Sequence, residues 1–174
     1  DWKQSLLDKA AKLDLYKNLI LHDNNKLPLP FSDNYFKTIY SNSVYWVNEP
    51  DKLISDIYRI TSPGGNVSLE LLTPHRYDTL NTLEKFLSPK AIEILDRKRR
   101  ANTTGMREYS EWKKIIESSG FKIKEVNSVY PHKLMMDIWN VGLRPISHLL
   151  IQMSEALDLE DRKRIKQEWV EIFF

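Results

Sequence analysis

The run Thr61-Ser62-Pro63-Gly64-Gly65 constrains this chain more than any other feature, because it separates two apolar patterns of different period. Before it, Leu53, Ile54, Ile57 and Ile60 recur at helical spacing; after it, Val67 to Leu72 reads as an apolar strand. Pro63 disfavours helical conformation in the residue before it, and the two glycines permit positive φ, so a helix must stop here and a strand begin. Asn48-Glu49-Pro50-Asp51 supplies that helix's start, with Asn48 as N-cap, a proline in the first turn and an acid three residues after the cap.

Upstream, Leu19-Ile20-Leu21 reads as a short strand that ends on His22-Asp23 and runs into the proline-punctuated Leu27-Pro28-Leu29-Pro30-Phe31. Asp33-Asn34 marks a turn, and Tyr35 to Ser41 has strand character. Strand, helix and strand in alternation place the chain in the α/β class. Gln4 to Leu15 precedes this unit as an amphipathic helix carrying Leu6, Leu7, Ala10, Ala11 and Leu13 on one side.

Downstream, residues 75–108 read as a charged helical insertion, with Ser88-Pro89 capping a segment that buries Ala91, Ile92 and Leu95. Ser110 is placed to cap a helix through Trp112, Ile115 and Ile116, Gly120 to end it, and Phe121 to Val129 to resume as a strand. Residues 131–174 read as helical, broken at Gly142 and Pro145, with Ile146, Leu149, Leu150 and Met153 at helical spacing. At 174 residues and 41% hydrophobic content, one domain is expected: an α/β core over 1–130 with its insertion, then a helical extension lying over the pocket side or the sheet edge.

Composition narrows the function classes. Twenty-six Lys and Arg against 24 Asp and Glu leave a net charge of +2, too small a field to gather nucleic acid or anionic lipid, so neither is expected as a partner. Zero cysteines exclude a disulfide framework and a thiol nucleophile and fit a reducing compartment, with the cytoplasm expected. No stretch approaches the ~20 apolar residues a membrane helix needs. The four histidines share no metal-ligand spacing, so no metal is expected. The chain opens on Asp1 and closes on the apolar pattern Trp169 to Phe174, which reads as a piece of a longer protein.

Several landmarks stand in a telling order: Asp23-Asn24 before the Leu27-Pro28 turn, Ser41-Asn42-Ser43-Val44 at the end of the next strand, Thr61 to Gly65, and Ser119-Gly120-Phe121. Together these resemble class I S-adenosylmethionine-dependent methyltransferases, of the small-molecule, type 11-like kind, over residues 1 to about 130. The resemblance implies a Rossmann-like fold that is incomplete here, its first strands and acid-Gly-x-Gly loop expected before Asp1, and a fragment inactive alone. None of the five glycines, Gly64, Gly65, Gly105, Gly120 and Gly142, replaces that loop.

By resemblance, S-adenosylmethionine would meet Asp1 at its ribose hydroxyls, Asp23 and Asn24 at its adenine, and Ser41 and Asn42 beneath its methionine part. An exposed terminal acid, an Asx turn and ordinary strand termination are the plain alternatives. Val44-Tyr45-Trp46-Val47 departs from the family by placing aromatics where an acid and a His often stand, and makes Tyr45 and Trp46 candidate substrate contacts. His75, Tyr77 and Tyr130 are further candidates, His75 and Tyr77 equally readable as a surface loop. His75 and Tyr130 are also the available general bases, if one is needed. Trp139, Arg144 and Met135-Met136 either line a pocket or form core, and Arg97 to Arg100 reads as a solvated helix face.

Methyl transfer to a small-molecule acceptor is the expected activity. A Rossmann oxidoreductase and a non-catalytic methyltransferase-like binding protein are its rivals. The expected geometry is a parallel sheet whose strands end together on Asp23, Ser41 and Leu72.

Overall fold

The structure is a computed structural model that describes residues 1–97, 99–130 and 132–173. Lys98 of the basic run, Pro131 and Phe174 lie outside the described residues, as do the side chains of Trp169, Val170, Ile172 and Phe173. The fold is mixed α/β, with a two-stranded parallel sheet of β1 (Phe36–Ser41) and β2 (Thr61–Leu69) joined by α2 (Pro50–Ile60). The helix stops at Ile60 because Thr61 is already extended and Pro63 follows.

The glycines after it are used by the sheet itself. Pairing jumps from Phe36 with Thr61 to Thr38 with Asn66, so residues 62 to 65 bulge from the ladder. Gly64 has φ +74°, and a Cβ on Gly65 would stand 2.8 Å from the Ser62 carbonyl and 2.9 Å from that of Lys37. The strand therefore begins at Thr61 and ends at Leu69, not over Val67 to Leu72 as expected, because the bulge lets pairing start on the helix side of the glycines.

α2 buries Leu53, Ile54, Ile57 and Ile60 as its period predicts. Leu53, Ile54 and Ile57 meet Val44, Val47 and Trp112 in the core, and each such side chain contributes about 1.5–3 kcal/mol on burial. Trp112 comes from α6 (Tyr109–Ser118), and its indole N–H donates to the Leu72 carbonyl at 2.8 Å. Gly120 ends this helix at φ +99°, pressed beneath the Tyr58 ring. Both expected caps shift: Glu49 takes the place assigned to Asn48, and Glu108, whose N–H donates to Glu111 at 3.0 Å, the place assigned to Ser110. Pro50 fits the first helical turn and fixes the start one residue later; the reciprocal Glu108–Glu111 pairing fixes the other.

Two expected strands lie outside the sheet. Leu19 to Leu21 makes a single parallel rung with Asp1: Asp1 N donates to the Ile20 carbonyl at 3.1 Å, and His22 N to the Asp1 carbonyl at 2.8 Å. One rung does not make a ladder. Phe121 and Ile123 are half-buried and alternate as predicted, and Lys124 reaches the Asn66 side chain at 2.7 Å. Their backbone nonetheless forms no ladder, because period-2 burial reports which side chains face inward and not whether N–H and C=O find neighbours.

α1 (Gln4–Ala11) buries Leu7, with Leu13 buried just beyond it, while Leu6 is exposed. The insertion folds as a 3-10 turn (Pro74–Tyr77), α3 (Asp78–Leu83), α4 (Pro89–Asp96) and α5 (Arg99–Asn102). Ser88 caps α4 as expected, accepting from Ala91 N at 3.3 Å. α7 (Lys133–Asp137) passes through a π-helical segment (Ile138–Leu143) into α8 (Arg144–Ala156), with α9 (Leu159–Phe173) following. Gly142 and Pro145 do not break this run. The π segment takes up the disruption that Pro145, without an N–H, would impose on an α-helix, and the break falls instead at Leu157-Asp158. Ile146, Leu149, Leu150 and Met153 face outward rather than covering the sheet; α8 buries only Arg144.

Candidate functional site

The carboxyl end of the sheet is fixed by Ser41 opposite Leu69, with Glu70 N donating to the Ser41 carbonyl at 2.8 Å. Ligands in open α/β sheets gather at this end. Ser41 Oγ lies 3.3 Å from Ser43 Oγ, which turns the chain into the 3-10 segment Val44–Trp46. Val44 fills the core, Tyr45 is half-buried and Trp46 exposed, while Asn42 is exposed at the strand's tip. The Tyr45 carbonyl accepts from Gly105 N at 3.1 Å, which anchors the insertion's return to the same end.

The rung between Asp1 and the 20–22 segment sets Asp1 beside Leu21, so Asp1 and Asp23 stand about two positions apart on paired segments. Asp1 Oδ1 accepts from Lys3 N at 2.9 Å. Asp23 Oδ1 accepts from the Asn25 N–H at 3.0 Å and its side-chain amide at 3.2 Å, forming the Asx turn that the residue type favours. The Asn25 backbone bond, above all, holds the Asp23 carboxyl below its ordinary range. Asn25 Oδ1 in turn accepts from Asn48 N at 2.9 Å and ties this turn to the start of α2. An open cavity of about 340 Å³ beside β1 is lined by Asn24 and Ser41 together with Leu29, Phe31, Tyr40 and Ile57. Asn24 and Ser41 thus meet at one cavity; Asp1, Asp23 and Asn42 do not line it.

A second group gathers where the insertion meets the C-terminal helices. Burial, then the charge of Glu70, raises the Tyr45 phenol above its ordinary range, against the pull of Arg76 and Arg99. Arg76 is buried in the 3-10 turn, its guanidinium carbon 5.4 Å from the Tyr130 ring centre and 5.7 Å from that of Trp139. Its carbonyl accepts from the Asn140 side chain at 3.1 Å. Asn140 Oδ1 accepts from Arg144, which also donates to the Asp96 carboxylate at 3.2 Å and to the Asp96 carbonyl at 2.8 Å. Burial lowers the Arg144 pKa and the charge of Arg99 lowers it further, while Asp96 opposes both.

Tyr77 and His75, neighbours in sequence, part company in space. Tyr77 is buried with its hydroxyl 3.0 Å from Thr103 Oγ1, while His75 is exposed beside Asp78 at 3.1 Å. Tyr130 belongs to the aromatic group and meets Trp139 with ring centres 6.1 Å apart. Arg76 and Glu70 are not among the residues expected from the sequence, although Arg76 lies between the candidates His75 and Tyr77. A cation between two candidate contacts, in a turn just past a strand end, was the signal available.

The residues present suit S-adenosylmethionine in part. Two acids near each other on paired segments can accept hydroxyl hydrogen bonds, and the Asn24 amide and Ser41 hydroxyl border a mostly apolar cavity. Among the described residues no cluster of three or more His, Cys, Asp or Glu suits a metal ion, and no helix is long and apolar enough to cross a membrane.

Residues 1–69 match the family model described as a methyltransferase domain. The chain is also 31% identical over 115 residues to a malonyl-[acyl-carrier protein] O-methyltransferase of Buchnera aphidicola subsp. Baizongia pistaciae (strain Bp). That alignment takes in 53% of this chain and 46% of the relative, so the chain spans about half the length of the curated protein it matches. No solved structure matches at a significant level.

Proposed function

We propose that the protein carrying this sequence transfers a methyl group from S-adenosylmethionine to an oxygen of a small-molecule acceptor, a reading supported by the match of residues 1–69 to a methyltransferase-domain model. The observation that carries this reading is the meeting of Asn24 and Ser41 at one cavity that runs along β1 to its carboxyl end, with Asp1 and Asp23 on the paired segments nearby. Oxygen as acceptor is supported by the relative, whose name specifies O-methylation. A Rossmann-like arrangement of the 1–130 region belongs to the same reading and draws support from the parallel β1–α2–β2 unit.

When bound, S-adenosylmethionine supplies a methyl group on a positively charged sulfur, already a strong electrophile. The chain's own contribution is alignment and exclusion of water. Asp1 and Asp23 would accept from the ribose hydroxyls and the adenine amine, Asn24 would bond the ring edge, and Ser41 with Asn42 would border the amino-acid end. Tyr45, half-buried and with its proton held more firmly than usual, serves as a hydrogen-bond donor rather than as a base at neutral pH.

The test is a calorimetric titration of the full-length protein with S-adenosylmethionine, paired with a radiolabelled methyl-transfer assay. Saturable binding is expected, weakened about tenfold or more by Asp23→Ala, the loss of a charge-assisted hydrogen bond. Binding unchanged by both Asp23→Ala and Asn24→Ala would remove this site. Binding without transfer to any acceptor would favour the non-catalytic rival.

A further inference from the structure

Arg59, Arg100 and Arg144 all reach an acid: Arg59 bonds Asp56 at 2.6 Å, Arg100 bonds Glu84 at 2.6 Å and Arg144 bonds Asp96 at 3.2 Å. Arg76 differs. It is only 9% exposed, yet among the described residues no carboxylate lies within ion-pair distance of its guanidinium. Its side-chain neighbours are the rings of Tyr130 and Trp139 and the Met136 sulfur at 3.9 Å. Rings and a thioether attract a cation but do not replace the hydrogen bonds that five N–H donors make in water. Burying a charge without a counter-ion is unfavourable. On the neighbouring Trp139, the buried Nε1 finds no acceptor among the described residues.

The position is informative as well. Arg76 stands in the turn soon after the carboxyl end of β2, within electrostatic reach of Tyr45 and in company with Arg99. Glu70 is the acid that acts on that phenol, so the charges facing Tyr45 are two cations and one anion. The turn is held from behind, since Arg76 N donates to the Thr73 carbonyl at 3.0 Å and its own carbonyl is taken by Asn140. Arg76 is thereby fixed at the backbone, while its guanidinium meets a thioether and two rings and no carboxylate among the described residues. A planar cation with open donors beside aromatic faces suits a carboxylate, which it can bind through two parallel bonds.

We propose that Arg76 and the indole N–H of Trp139 form an anion subsite that takes the carboxylate of the methyl acceptor, which makes the acceptor an organic acid. This rests on the methyl-transfer reading for the word acceptor; the carboxylate subsite itself stands on Arg76 and Trp139 alone.

The experiment uses the full-length protein without cofactor and follows tryptophan fluorescence while butyrate, its neutral isostere butyramide, or inorganic phosphate is added. Butyrate is expected to give a saturable change, weakened at least about tenfold in Arg76→Gln, with the signal itself reduced in Trp139→Phe. Arg76→Lys keeps the charge without the planar fork and should fall between, which preserves the test if Arg76→Gln unfolds. Butyramide binding as well as butyrate, or butyrate binding equally to wild type and Arg76→Lys, would overturn the proposal. Phosphate outcompeting butyrate at Arg76 would overturn the assignment of an organic acid. Arg76-dependent butyrate binding in a protein that fails to bind S-adenosylmethionine would leave the subsite intact and discard the methyl-transfer reading instead.

Discussion

At the scale of single residues, Asp56 shows how one carboxylate can set a pH dependence. Burial alone would raise its pKa, but a two-point bond with Arg59 and the N–H of Leu29 at 2.6 Å outweigh this and hold it below the ordinary value. Arg59 also reaches the Phe31 and Leu29 carbonyls, so this one pair pins the Leu27–Phe31 loop to α2. A carboxyl depressed in the folded state contributes stability that is present above the unfolded pKa, about 4, and lost as pH falls through the lower folded value. Urea unfolding followed from pH 7 down to pH 2 should therefore show stability falling at the acid end, with a shallower fall in Asp56→Asn. Identical pH slopes for both proteins would remove Asp56 as the source. Residue types foretold part of this layer: Asp23 forms the Asx turn its type suggests, and Gly120 takes the positive φ its place suggests. They did not foretell Arg76, because an arginine flanked by polar neighbours carries no mark of burial until distant segments close over it.

At the scale of elements, the insertion and the C-terminal helices are joined through buried polar groups. Asp96 at the end of α4 holds Arg144 at the start of α8, and Asn140 in the π segment links Arg144 to the turn at Arg76. Asp96→Ala leaves the Arg144 charge buried and unpaired, a cost of about 3–5 kcal/mol, whereas Asp96→Leu with Arg144→Met removes both charges and should recover much of it. A double-mutant cycle by thermal or denaturant unfolding checks this, and additive losses would mean the pair is not coupled. Helical period located α2, α4, α6 and the C-terminal helices, because three or four apolar positions per two turns write a readable pattern. The strands were harder. β1 appeared where its alternation placed it, but Leu19 to Leu21 and Phe121 to Val129 carry strand character without a ladder, since pairing depends on a neighbour that a one-dimensional pattern does not contain.

For the whole molecule, burial is uneven. Val44, Val47, Leu53, Ile54, Ile57 and Trp112 form the principal core around α2 and α6, whereas α8 buries only Arg144 and exposes Leu149, Leu150, Ile151 and Met153. Regions with few buried apolar contacts open at lower free energy than the core. Native-state hydrogen exchange should therefore show amides of α2 and α6 protected well beyond those of α8, by about tenfold or more. Equal protection across both would mean that the polar links at Arg144 are as strong as the apolar core. The broad α/β class was legible from the Thr61 to Gly65 punctuation, and the methyltransferase resemblance from the order of its landmarks. The outward face of α8 was not, because an apolar stripe states that a helix has something to cover and is silent about whether it is covered.

The π segment has a consequence for how this chain tolerates change in length. A helix accepts the loss of one residue by continuing one position later, but every side chain beyond the deletion then turns by about 100° around the axis. Ile138 to Leu143 separates Asp137, bonded to Thr79, from Arg144, bonded to Asp96. Shortening this stretch by one residue would leave a better helix and a worse junction, with Arg144 rotated away from the acid that neutralises it. Substitution is cheap at the exposed Ile138, Val141 and Leu143 but not at the buried Asn140 that links Arg144 to Arg76, and the length of the stretch is held by the two contacts at its ends.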